Sequence, residues 1–227
     1  MNLTYIILGL CISIALIFLI YRYIYSSRVM FKNQFKTDVY HSQETTSVSA
    51  TQLIHPILDS SFTYSFVINL HNFYEDYNYW RHIFHKGTLL HPTIPLKYTF
   101  WNNIEIEMPE QSIGVWMHPS INTLRIAMTT KDHYSNYYLE TIDIPNIHQN
   151  TSIMITVVVE NKIISIYKNG RLVISYGCLY YPEFNKKDLY IFHKHTIDGS
   201  LSNFTYIPKP LYVKDIEYLY NTHIKKE

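Results

Sequence analysis

The sequence predicts an all-β chain: an antiparallel two-sheet jelly-roll sandwich, preceded by an N-terminal transmembrane helix and closed by a short C-terminal helix. Three observations carry this. Residues 155–176, ITVVVENKIISIYKNGRLVISY, read as three strands joined by two tight turns, Glu160-Asn161-Lys162 and Lys168-Asn169-Gly170-Arg171. Asn-Gly suits a two-residue hairpin loop because both central residues take φ > 0, which Asn tolerates and Gly permits freely. Residues 61–71, SFTYSFVINLH, place Phe62, Tyr64, Phe66, Ile68 and Leu70 on one face, the period of a strand with one buried side. Turn signals then recur roughly every 8–12 residues, the spacing of a sandwich or jelly roll.

The elements follow in order. Leu3 to Ile20 is an apolar run of 18 residues without a charge. As a helix rising ~1.5 Å per residue, extended by Tyr21, Tyr23 and Ile24, it is long enough for a hydrocarbon core of about 30 Å. Tyr21, Tyr23 and Tyr25 suit an interfacial belt, and Arg22 can snorkel. A cleaved signal peptide fits less well: no Lys or Arg precedes the run, and no small-x-small site follows it. Residues 1–25 are therefore expected to be an anchor and 26–59, polar and Ser/Thr-rich, a juxtamembrane linker. Residues 60–227 form the β domain. Its strands are expected at 61–71, 79–86, 113–117, 124–129, 137–144, through the meander, and at 189–193 and 201–206. Residues 213–220, VKDIEYLY, read as helix.

Arg22, Arg28, Lys32 and Lys36 follow the span, and only the α-amine precedes it. The positive-inside rule then puts the C-terminal domain on the cytosolic side of the membrane. The two cysteines, Cys11 and Cys178, sit in different segments and can hardly bridge, which agrees with a reducing compartment. The sequons at Asn2, Asn150 and Asn203 favour the opposite side if used, but chains rich in Asn produce such triplets by chance. With 19 Lys and Arg against 18 Asp and Glu, the formal charge of +1 gives no basic face for nucleic acid. Tyr is abundant at 22 residues, while Gly is scarce at 6.

Several blocks, in this order and spacing, carry a resemblance: 62–68, 80–87 (WRHIFHKG), 113–119 (IGVWMHP) with 122–126 (NTLRI), 144–146 (IPN), 166–170 (IYKNG), 199–204 (GSLSNF) and 215–220 (DIEYLY). The chain over about 60–220 resembles the concanavalin A-like lectin/glucanase superfamily, in particular the laminin-G/pentraxin-like jelly rolls of large DNA viruses. The resemblance implies two antiparallel sheets face to face, with ligands, where present, on a concave face or its rim loops. One departure is visible: relatives usually carry a Trp just before the first meander strand, where this chain has Asn150-Thr151-Ser152. Such folds host lectins, glycosidases and adhesion modules alike, so function rests on the site.

Glu105, Glu107 and Glu110 look like the catalytic Glu-x-Asp-x-x-Glu segment of one glucanase family. Glycoside hydrolysis needs two carboxylates at a set separation, but the middle acid here is Glu, and Pro109 interrupts the strand. No catalytic residue is therefore expected. On a regular strand His82 and His85 point to opposite faces, and His193 and His195, with Asp198 nearby, lack a defined third partner, so no metal site is expected. Calcium needs converging oxygen ligands. Asp76 with Asn78, or Asp198 with nearby carbonyls, could contribute, but there is no dense acidic cluster, and no cofactor is expected. The best ligand hint is aromatic: rings among polar residues at 73–80, 101–103 and 133–138. Tyr77, Trp80, Trp101, Asn102, Tyr134 and Tyr137 are the candidate ligand-binding residues, since such rings offer flat area and a polar tip together. The expectation is a membrane-anchored, non-catalytic interaction module with a protein or glycan partner. A carbohydrate-binding lectin, a glycoside hydrolase and a purely structural virion component are the alternatives.

Overall fold

The computed structural model describes residues 12–17, 35–36, 39–41, 45–58, 60–72, 79–89, 110–193 and 195–224. The chain divides into two units, Met1–Gln34 and Phe35–Glu227. In the first, residues 12–17 are helical. Among the described residues no helix is long and apolar enough to cross a membrane, and most of the expected span from Leu3 to Ile20 lies outside them.

The second unit is two antiparallel sheets. Its strands are β1 (Phe35–Lys36), β2 (Val39–His41), β3 (Thr46–Val48), β4 (Ser61–Asn72), β5 (Arg81–Gly87), β6 (Gln111–Met117), β7 (Thr123–Lys131), β8 (Tyr137–Pro145), β9 (Ile153–Glu160), β10 (Ile163–Lys168), β11 (Arg171–Gly177), β12 (Tyr181–Pro182), β13 (Leu189–Ile191) and β14 (Asp198–Ile207). One sheet runs β1-β14-β4-β9-β10-β11, with β2 also on β14. The other runs β12-β7-β6-β5-β13-β3, with β8 on β7. The core between them takes the alternating face of β4 (Phe62, Tyr64, Phe66, Ile68) and the inward residues of β6 (Ile113, Val115, Met117) and β9 (Ile153, Ile155, Val157, Val159). Edge-to-face ring pairs tie it together, Phe66 to Phe84 at 5.0 Å and Phe84 to Phe204 at 5.0 Å. Such pairs add roughly 0.5–1.5 kcal/mol beyond their buried area.

The meander forms as its turns dictate. Asn169 (φ 50°) and Gly170 (φ 77°) both take the left-handed conformation that a two-residue hairpin needs. The Asn169 side-chain oxygen also accepts the Met154 N–H at 2.9 Å, and the Asn169 N–H donates to Met154 O at 2.8 Å, so the turn is bonded to β9 as well as to β11. Tyr220 of the C-terminal helix (Val213–His223) lies against Gly170, where an added Cβ would stand 3.2 Å from its Cβ. That helix buries Ile216 and Leu219, and its Asp215 side chain accepts the Tyr212 N–H at 3.2 Å. Just before it, the Leu211 N–H donates to Thr63 Oγ1 at 3.1 Å, and Thr63 donates to Lys209 O at 2.9 Å. These bonds anchor the C-terminal segment to the face of β4 opposite the core.

Two parts of the architecture depart from expectation. Residues 35–58, inside the stretch expected to be linker, supply β1, β2 and β3: β1 and β2 pair with β14, and β3 pairs with β13. Strands of two or three residues bond through the backbone and bury single side chains such as Val48, so they leave no period to read. The second departure is in β5. Its register against β6 shifts between His82 and Phe84, so that His82 lies opposite Trp116 and His85 opposite Gly114. The extra residue, Ile83, turns His82 and His85 to the same face, where regular alternation separates them.

Candidate functional site

The described residues concentrate exposed rings on the β7–β8 hairpin and the segment after β11. The hairpin loop is built on Asp132. One carboxylate oxygen accepts the N–H groups of Tyr134 (2.8 Å) and Asn136 (2.9 Å), and the other accepts the Asn136 side-chain amide (3.0 Å) and the Tyr138 hydroxyl (3.3 Å). Desolvation works to raise the Asp132 pKa. Bonds from the Asn136 side chain, then the Asn136 and Tyr134 N–H groups, outweigh it and hold the carboxyl below its ordinary value. Ser135 takes φ 69° at the tip, and Tyr134 projects at 75% exposure.

A second carboxylate ties this hairpin to the other sheet. Glu140 of β8 accepts the hydroxyl of Tyr176, on β11, at 3.1 Å, and the N–H of Leu179 at 3.1 Å. Tyr180 then stacks on Tyr138 with centroids 4.6 Å apart. Lys162 donates to Leu179 O at 2.9 Å and lies over the Tyr181 ring at 4.9 Å. Lys131 lies over Tyr137 at 5.2 Å and pairs with Glu183 at 3.9 Å. The outcome is a surface of fixed rings, with Tyr137 at 54% and Tyr181 at 57% exposure. Beside it an open cleft of about 280 Å³ is lined by Ser60, Lys131, Asp132, Tyr181, Pro182 and Glu183. Flat apolar faces beside one ammonium and two carboxylates can stack on a ring and hydrogen-bond its hydroxyls.

Of the six candidate ligand-binding residues, Tyr134 and Tyr137 belong to this surface. Tyr77, Trp101 and Asn102 lie outside the described residues. Trp80 does not present a free face: it is 2% exposed, clustered with Trp116 and Ala127, with the Arg125 guanidinium 4.3 Å over its ring and His118 edge-on at 4.9 Å. Arg125 is itself held by two bonds to Asp143, at 2.8 and 2.9 Å. Tyr180, Tyr181 and Leu179 were not among the candidates. The doublet Tyr180-Tyr181 before Pro182 is the one signal in the sequence that pointed to them.

Glu110 is bound by Lys187, Nζ to Oε2 at 2.6 Å, while Glu105 and Glu107 lie outside the described residues. Asp198 stands 3.6 Å from His71 Nδ1; Asp76 and Asn78 are not described. His195 stacks on Tyr79 at 4.4 Å. Among the described residues no group of three His, Cys, Asp or Glu could hold a metal ion. Cys178 is a buried free thiol whose pKa is pushed up to about 12, by burial first and by Glu140 second, against Lys162.

No family model matches the chain, and no curated protein matches it in sequence. Solved structures do match in fold. The chain is similar to the botulinum neurotoxin serotype D binding domain (17% identity, 84% of this chain and 42% of that one, TM-score 0.53). It is also similar to the serotype D ligand-binding domain in complex with N-acetylneuraminic acid (15% identity, 85% and 42%, TM-score 0.53). A third similar structure is the binding domain of botulinum neurotoxin DC in complex with rat synaptotagmin II (13% identity, 83% and 42%, TM-score 0.51). The chain thus spans about two fifths of these domains, and at such identity the likeness is one of fold: a β-sandwich of two antiparallel sheets.

Proposed function

We propose that this chain is a non-catalytic recognition module, a concanavalin A-like domain of the laminin-G/pentraxin-like kind, that binds a glycan through its tyrosine surface. The observation that carries the reading is the organisation of that surface. Tyr134, Tyr137 and Tyr181 are exposed, yet their backbones and neighbours are fixed by Asp132, Glu140 and Lys162, so a ligand meets rings already ordered. The similar solved structures support the same reading, one being in complex with N-acetylneuraminic acid. The N-terminal apolar run would hold the module at a host or viral membrane, where tethering raises the effective concentration of a weak binder. Hydrolysis is not part of this reading, since Glu110, the described member of the acidic segment, is spent on Lys187. The test is the full-length chain on an array of sialylated and neutral oligosaccharides, alone and as Tyr134→Ala with Tyr137→Ala.

A further inference from the structure

We propose that β5 carries an acid-released latch, in which the His82–His85 pair holds the connection between β13 and β14 closed and lets it go when either ring gains a proton. This is independent of the tyrosine surface.

The geometry fixes both tautomers. His82 Nδ1 lies 3.0 Å from the backbone nitrogen of His193, which can only donate, so the neutral His82 ring carries its proton on Nε2. At the other end His85 Nε2 lies 2.9 Å from Thr88 O, which can only accept, so the His85 proton is on Nε2 and its Nδ1 is free to accept. Between them His82 Nε2 meets His85 Nδ1 at 2.8 Å, donor to acceptor, as both ends require. The relay therefore runs one way, from the His193 N–H through two neutral rings to Thr88 O.

An added proton has nowhere to go without breaking it. On His82 Nδ1 it faces the His193 N–H directly. On His85 Nδ1 it faces the His82 Nε2–H, and His82 can turn that nitrogen into an acceptor only by moving its own proton to Nδ1, again against the His193 N–H. Both routes end at the same bond. Both rings are fully buried, so water does not relieve the conflict.

Among the described residues, the groups around the pair do not offset the charge. β6 contributes Trp116, its ring 4.7 Å from His82 and 6.0 Å from His85, and Gln111, which accepts the Trp116 N–H at 2.9 Å. From β13, Tyr190 stacks on His85 at 5.3 Å, and Asp188 at the head of that strand acts on Tyr190. The connection contributes His193, whose own charge opposes protonation of either ring. On β5 itself, Arg81 donates to His118 O and Lys86 to the carbonyls of Asn185 and Lys187, both away from the pair. Burial first, then His85 and His193, drives His82 well below its ordinary pKa; burial drives His85 from 6.5 to about 4, against the Thr88 bond. A pKa lowered in the fold means that the neutral form is the stabilised one. Closure is complete above pH 6.5 and is lost as pH falls towards about 4.

What the latch restrains is strained. Phe192 (φ 50°), next to His193, stands in left-handed backbone that bulky side chains avoid, and His195 (φ 44°) takes the same conformation two residues after His193. The Phe192 N–H donates to Ile83 O at 2.9 Å and the His82 N–H to His195 O at 2.8 Å, so the bulge of β5 is the surface against which the connection is pinned.

Nitrogen-resolved NMR of the full-length chain tests this directly. Both rings should read as the neutral Nε2–H tautomer at neutral pH. As pH falls from 6.5 towards about 4, His85 should become imidazolium with about a tenfold loss of exchange protection at the His193 amide, while the amides of β4 and β9 stay protected. His82→Asn keeps an oxygen for the His193 N–H and cannot gain the proton, so its His193 amide should stay protected over the same range. An unchanged His193 amide in the native chain overturns the latch. So does opening that coincides with loss of the β4 and β9 amides, which would be general acid unfolding.

Discussion

Left-handed backbone falls largely on Asn in this chain. Among the described residues, five of the eight non-glycine positions with positive φ are Asn: 146, 150, 161, 169 and 203. With only six glycines in the sequence, Asn supplies the conformation that turns and bulges require, since its short amide can bond locally. This part of the fold is legible residue by residue, because Asn beside strand-like flanks marks a turn. Burial of single polar side chains is not. Lys86 is 1% exposed, its ammonium donating to Asn185 O at 2.7 Å and lying 4.6 Å from the Phe184 ring, and burial lowers its pKa to about 8, against the pull of Asp188 and Glu110. Nothing in the heptapeptide RHIFHKG distinguishes this Lys from a surface one. Trp80 is the matching case among rings: it reads as a binding residue beside Tyr77 and Tyr79, and Arg125 and His118 close over it. Cys178 gives the prediction at this scale. With its pKa at about 12, the thiol stays protonated at neutral pH and thiolate forms only as pH rises towards that value. In a Cys11→Ser chain, a thiol-reactive chromophore should therefore label Cys178 at neutral pH only after denaturation; rapid labelling of that chain in its native state would contradict the burial described.

Whole elements were legible where a period ran long enough. Strand β4 alternates over twelve residues, and the meander announces both of its turns. Of the elements of two or three residues, β13 lies within an expected strand, whereas β1, β2, β3 and β12 are pairings of backbone and leave no pattern of their own. The bulge in β5 is of the same kind: alternation separates His82 from His85, and only the register against β6 brings them together. Two predictions belong to elements. Gly170→Ala puts a Cβ into left-handed backbone and against Tyr220, so it should lower stability by about 1–2 kcal/mol in chemical denaturation. A neutral result would mean that the β10–β11 turn is not the one described. Asp132→Ala removes the acceptor for two N–H groups of the β7–β8 loop, so the Tyr134 and Asn136 amides should exchange faster while those of β9 do not change. Unchanged exchange at Tyr134 would show that the loop is held by something other than this carboxylate.

At the scale of the molecule, the edges of the two stacked sheets meet at the tyrosine surface. Glu140 and Tyr176 join the edge strands β8 and β11 there, which is why tyrosines distant in sequence form one surface. The sandwich itself could be foreseen from period and turns. The surface could be foreseen only by half, because hairpin rings such as Tyr134 are adjacent in sequence whereas their neighbours at 180–181 arrive through tertiary structure. If the apolar run from Leu3 to Ile20 anchors the chain, the full-length product should stay with membranes after alkaline carbonate extraction, and its C-terminal domain should resist protease added from the luminal side; release into the aqueous phase would remove the tether from the account. The most direct measurement remains binding of the full-length chain to an array of sialylated and neutral oligosaccharides. The account predicts a defined subset of glycans bound by the native chain, with at least about a tenfold loss in the Tyr134→Ala, Tyr137→Ala double variant at unchanged thermal stability. Glycan binding that survives both substitutions, or no binding to any oligosaccharide by a folded native chain, would contradict it.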